Sequence, residues 1–114
     1  MLPAHSVGLD PAVETLLAQV RSRLESHYGP RLAGIVLYGS VARGSEEPES
    51  DMDLLILLRG ELDYFHELRT LVEVLYPLQL DSERLISALP VVFDEYRAGS
   101  LQLHRSAARE GLAV

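Results

Sequence analysis

Two short apolar runs flank a polar loop between Leu32 and Leu58. Ile35, Val36, Leu37 and Tyr38 form the first run and stop at Gly39, and Leu54 to Leu58 form the second, entered from Ser50. Short runs of β-branched and aliphatic residues bounded by glycine or polar residues predict buried strands. Ten residues lie between Ser40 and Asp51, and a parallel crossover takes about a dozen or more. The two strands are therefore expected as antiparallel neighbours, with the end of the first beside the start of the second.

Elsewhere the apolar period is helical. Val13, Leu16, Leu17, Val20 and Leu24 make one stripe behind Asp10-Pro11, which reads as an N-cap followed by a proline at the first helical position. Gly29-Pro30 ends that helix, and residues 1–10 are expected as a loose arm. A second helix is predicted from about 61 to 76, burying Leu62, Phe65, Leu68, Val72 and Leu75 and stopped by Pro77. A third strand is predicted over about 80–92, reached by a helical connection long enough for a right-handed parallel crossover. Asp94-Glu95-Tyr96 then reads as a turn, and a last helix runs from about 101 to 110 with Ser100 as N-cap and Gly111 as C′ residue. The expected fold class is α/β (α+β): a small mixed β-sheet with helices packed on it, in one domain over 11–114.

The 114 residues suit one domain with one core. Cysteine is absent, which excludes disulfides and thiolate metal sites. A net charge of −7, with arginine as the only strong base, argues against binding extended nucleic acid. No apolar run reaches the roughly 20 residues that span a bilayer, and the first ten residues lack the features of a signal peptide, so no membrane association and a cytoplasmic location are expected.

The chemistry concentrates on the loop. Asp51 and Asp53 are an i, i+2 pair, so on a strand both carboxylates face one way and repel each other. Mg2+ suits such a pair, because it takes hard oxygen ligands, often one or two carboxylates with substrate phosphates. Gly39 allows close approach of a ligand, Ser40 offers a hydroxyl and an N–H, and Val41-Ala42-Arg43 begins a short helix facing a phosphate. Parallel pairing of the third strand places Asp81 and Glu83 near the aspartate pair. Glu46, Glu47 and Glu49 read as surface charge, and the four histidines lack ligand spacing.

Gly39-Ser40, ten residues, then Asp51-Met52-Asp53 resembles the signature of the DNA polymerase β-like nucleotidyltransferase superfamily, and GSVARG…SDMDLLILL is closest to the small minimal nucleotidyltransferases. The resemblance implies that Gly39, Ser40 and Arg43 hold a nucleoside triphosphate and that Asp51 and Asp53 are catalytic residues holding metal, with Mg2+ as cofactor. It implies transfer of a nucleoside monophosphate, AMP from ATP or the counterpart from another triphosphate, to an acceptor hydroxyl. Active members carry a third carboxylate on the following strand. The aligned position here is Ser87, with Glu83, or alternatively Asp81, as the substitute. Small members also accompany an all-helical HEPN-type partner as its antitoxin. A partner-supplied acceptor, a homodimer and a binding-only protein without catalysis are the alternatives this leaves open.

Overall fold

The computed structural model describes residues 9–43 and 51–114, without the side chains of Ser40 and Arg43. Helix α1 spans Pro11–Tyr28, and the Asp10 carboxylate accepts from the Ala12 N–H at 2.7 Å, as the Asp-Pro pair predicts. Val13, Leu17, Val20, Leu24 and Tyr28 form its buried face. Gly29, at φ 55°, ends the helix in a conformation that suits glycine, and a single 3-10 turn leads into strand β1, Leu32–Tyr38.

After the short helix α2 (Ser40–Arg43) come strand β2 (Met52–Leu58), helix α3 (Tyr64–Leu80), strand β3 (Ile86–Val92), helices α4 (Phe93–Ala98) and α5 (Gln102–Glu110), and strand β4 (Leu112–Ala113). The strands form one mixed sheet in the order β3-β2-β1-β4. β2 runs antiparallel to β1 and parallel to β3, as the connection lengths require. Alternation divides β2 between two apolar clusters. Met52, Leu54, Ile56 and Leu58 join Ile35 and Leu37 beneath α1 and α3. Leu55 and Leu57 pack with Val36, Val91 and Ala107 of α5, bordered by Phe93 and Tyr96 of α4. Among the described residues, no helix is long and apolar enough to cross a membrane.

Several elements depart from the sequence pattern. α3 begins at Tyr64 and continues through Pro77 to Leu80, so it takes up residues expected to open the third strand. Pro77 lies on the exposed side of the last turn, and Glu73, whose carbonyl loses its partner, is an exposed residue too. The face of α3 is also rotated. Glu67, Leu71 and Leu75 are buried, whereas Phe65 and Val72 are 75% and 60% exposed. The reason is a charge cluster. Glu67 accepts from the Tyr28 hydroxyl and from Arg31 Nη1, both at 2.8 Å, and Arg31 also donates to the Glu61 carbonyl at 3.1 Å. A carboxylate satisfied this fully can face inward. Two further readings are corrected: residues 93–98 are helical rather than a turn, and the last helix starts at Gln102 with no side-chain N-cap bond from Ser100 or Leu101. Strand β4 lacked a sequence signal. Gly111 permits it, since a Cβ there would lie 2.5 Å from the Ala107 carbonyl and 2.6 Å from Val36 Cγ1.

Candidate functional site

Met52 separates the two aspartates and is fully buried beneath α1 and α3. Its N–H donates to the Leu85 carbonyl at 2.8 Å. Anchoring Met52 into the core turns the neighbouring odd positions to the other face. There Asp53 stands between Tyr38 of β1 and Ser87 of β3, both in direct register with it. Asp53 is half-buried and Asp51 is exposed at the strand entry.

The Gly-Ser turn meets this carboxylate. Gly39 has φ 81°, and a Cβ built on it would lie 2.7 Å from Asp53 Oδ2. The aspartate thus rests directly on the Gly39 backbone, where only a residue without a side chain leaves room. Ser40–Arg43 forms the expected short helix α2, with Val41 fully buried as its anchor. The side chains of Ser40 and Arg43, and residues 44–50 with Glu46, Glu47 and Glu49, lie outside what the structure describes, as do residues 1–8 of the expected arm.

Burial, and next the charge of Asp51, push the Asp53 carboxyl above the ordinary carboxylate range. Burial and the nearby Asp53 charge likewise raise the Tyr38 hydroxyl. A half-buried carboxylate raised by burial and by the charge of its neighbour belongs to a hard-oxygen donor set short of positive charge, which fits Mg2+ bound together with substrate phosphates. Among the described residues, no group of three His, Cys, Asp or Glu comes together as a metal cluster.

The third carboxylate departs from expectation. Asp81 and Glu83 do not lie on β3, because α3 runs on to Leu80 and the strand starts only at Ile86. Both acids are exposed on the connecting loop. They line a cavity of about 720 Å³ with Asp10, Leu16 and Leu78. Ser87 holds the position in register with Asp53. Sequence reasoning also passed over Tyr38 as a site neighbour. Its signal was available, since the residue before the Gly-Ser turn must face the start of an antiparallel second strand.

A Gly-Ser turn closing on an Asp-x-Asp strand entry, in a mixed sheet covered by helices, defines a nucleotidyltransferase domain. A family model described as the nucleotidyltransferase domain matches residues 17–96. The chain belongs to this family, within the DNA polymerase β-like superfamily that its motif resembles. It is 33% identical over 69 residues to a candidate protein adenylyltransferase of Methanocaldococcus jannaschii, covering 60% of this chain and 69% of that protein. It is 41% identical over 51 residues to an aminoglycoside (3'') (9) adenylyltransferase of Klebsiella pneumoniae, a match that spans 45% of this chain and only 20% of that enzyme. In structure it resembles a candidate nucleotidyltransferase from Sulfolobus solfataricus, with a TM-score of 0.63 at 18% identity, covering 87% of this chain and 76% of that one. That likeness establishes the shared fold.

Proposed function

We propose that this domain is a Mg2+-dependent minimal nucleotidyltransferase that transfers AMP from ATP to a hydroxyl on a protein partner, in the cytoplasm where both substrates are at hand. The observation that carries this reading is the Asp53 carboxylate resting on the Gly39 backbone, with Asp51 beside it. Asp51 and Asp53 would hold the metal. Bound there, Mg2+ neutralises charge on the phosphates and on the pyrophosphate leaving group. Gly39 and Ser40 would seat the triphosphate, and Arg43 would meet a terminal phosphate. The acceptor oxygen bonds to the α-phosphorus, the bond to pyrophosphate breaks, and the hydroxyl proton passes to solvent or to a base. Glu83, with Asp81 as the alternative, is the substitute for the third carboxylate that the resemblance implies, and the place of both on the exposed loop before β3 lends that role no support.

A different observation supports a second reading, binding without catalysis: Ser87 stands where active relatives are expected to place the third acid. In either case a partner of HEPN type, with this chain as its antitoxin, is the partner we favour over a homodimer. Phe65, Val72, Tyr76 and Leu80 are all more than half exposed along the outer side of α3, an apolar face suited to a second chain. The M. jannaschii relative, described as a candidate protein adenylyltransferase, supports a protein acceptor.

Two outcomes are expected. Asp51→Asn with Asp53→Asn abolishes the Mg2+-dependent part of ATP binding in calorimetry, while the fold survives. The sign follows from the raised Asp53 pKa. Its contribution to stability is present at acid pH and is lost as pH rises through the folded value, so at pH 7 the amide leaves the melting temperature unchanged or raises it. A large fall in melting temperature would make the pair structural instead. In the second experiment, co-expression with the product of a neighbouring gene and intact-mass measurement should show AMP-sized increments on the partner, absent with Asp51→Asn. A stable complex without increments would support the binding-only reading. Transfer to a free small molecule with no complex would replace the protein acceptor.

A further inference from the structure

We propose that Gln79 is a positioning residue for the Asp51/Asp53 pair: its carboxamide brackets the loop before β3 and so sets the backbone bond that fixes the entry of β2. The inference rests on the reading of these aspartates as the metal and nucleotide site.

The loop between α3 and β3 has little apolar side-chain packing to hold it. Leu85, its last residue, is 54% exposed. Gln79, in the last turn of α3, reaches across instead. Its Nε2 donates to the Arg84 carbonyl at 2.8 Å, and its Oε1 accepts from the Ile86 N–H at 2.7 Å. These two bonds fall on either side of Leu85, and both ends of the amide are used. Ser82 Oγ supports the same bend, accepting from the Arg84 N–H at 3.1 Å and donating to the Arg84 carbonyl at 3.0 Å. The peptide so bracketed presents the Leu85 carbonyl to the Met52 N–H at 2.8 Å. That bond lies between Asp51 and Asp53 and opens the β2–β3 ladder, in which Met52 faces Ile86 and Asp53 faces Ser87.

An ordinary helix stop would not need this side chain. The end of α3 already closes on backbone bonds, from the Asp81 N–H to the Leu78 carbonyl at 3.2 Å and from the Ser82 N–H to the Gln79 carbonyl at 3.1 Å. The chemistry is also selective. A glutamine supplies one donor and one acceptor at this reach, a glutamate at neutral pH only accepts, and a leucine does neither. The bracket therefore acts on the β3 start and, through Leu85, on the peptide that spaces the two carboxylates. Outer partners that hold ligands in place typically govern metal affinity by about 10–100-fold.

The test compares Gln79→Leu, Gln79→Glu and the unaltered protein by amide hydrogen exchange, by calorimetry with Mg2+ alone, and by melting. Gln79→Leu is expected to speed exchange at Met52 selectively, with Leu54 and Ile56 unchanged, and to weaken Mg2+ binding about tenfold or more. Gln79→Glu, which keeps the bond from Ile86 and loses the one to Arg84, should fall between. Unchanged Met52 exchange, or faster exchange with unchanged Mg2+ affinity, in a background that binds Mg2+ overturns this inference alone. Loss of protection along the whole of β2 with a matching fall in melting temperature also overturns it, in favour of a general structural role. An unaltered protein that binds no Mg2+ overturns the reading of the site and this inference with it.

Discussion

Gly39→Ala is expected to lower the melting temperature by roughly 5–15 °C and to abolish Mg2+-dependent nucleotide binding. The backbone there has φ 81°, a region that alanine enters only under strain of about 1–3 kcal/mol. For a domain near this size each kcal/mol shifts melting by roughly 4–8 °C. The added Cβ also lies 2.7 Å from Asp53 Oδ2, so the carboxylate must swing away from the turn. Gly34→Ala is the control, since its Cβ would meet Leu57 Cδ1 at an ordinary 3.6 Å with no left-handed backbone. Combining Gly39→Ala with Asp53→Ala removes the clash and leaves the backbone strain. The double variant should therefore melt higher than the sum of the single losses predicts. Additive losses in that cycle would show that Asp53 does not rest on the turn.

Arg31→Leu should cost about 2–3 kcal/mol at pH 7, measured by urea unfolding, and the deficit should shrink as the pH falls below about 5. Glu67 is only 5% exposed. Burial pushes its carboxyl up, but bonds from Tyr28 and Arg31 outweigh this and hold it below the ordinary value of 4.5. Its contribution to stability is thus present above pH 4.5 and is lost as pH falls through the lower folded value. Without Arg31 the carboxylate stays buried with one partner, and the balance tips toward the protonated acid. Protonation then relieves the penalty, which is the reason for recovery in acid. The cost falls below the roughly 3–5 kcal/mol of a fully buried pair because the Arg31 side chain is 35% exposed. A loss that is the same at every pH would assign the effect to the packing of Arg31 rather than to its charge. Tyr28 works in the opposite sense. Burial, and then its bond to Glu67, raise its hydroxyl well above 10.0, so its share is present below that value and is lost in strong alkali.

The local signals in the chain carried far because they were short in range. Asp10-Pro11 specifies a cap and a first turn, and five apolar positions at helical spacing specify the α1 face. The antiparallel pairing of β1 and β2 follows from a connection too short for any other arrangement. Gly39-Ser40 and Asp51-Met52-Asp53 thereby meet with no further information. The face of α3 was ambiguous because apolar residues occur on two sides of that helix. Leu71, Val74, Leu75 and Leu78 compete with Phe65, Leu68, Val72 and Tyr76. Which side turned inward depended on whether Glu67 found partners, and these lie 36 and 39 residues away in the chain.

By itself, then, the sequence determined the family motif, the neighbouring antiparallel strands and the glycine on which a carboxylate could rest. Each depends on residues next to one another or across one short loop. Only the tertiary structure decided that Asp81 and Glu83 stay off β3, that α3 absorbs the start of the expected third strand, and that Leu112–Ala113 adds an edge strand to β1. The register of a parallel strand is set by hydrogen bonds at the far end of a crossover. Here the bond from the Met52 N–H to the Leu85 carbonyl opens that register, with the Gln79 bracket around it. No periodicity within the chain encodes such bonds, because the partners are brought together only after helix and sheet have packed.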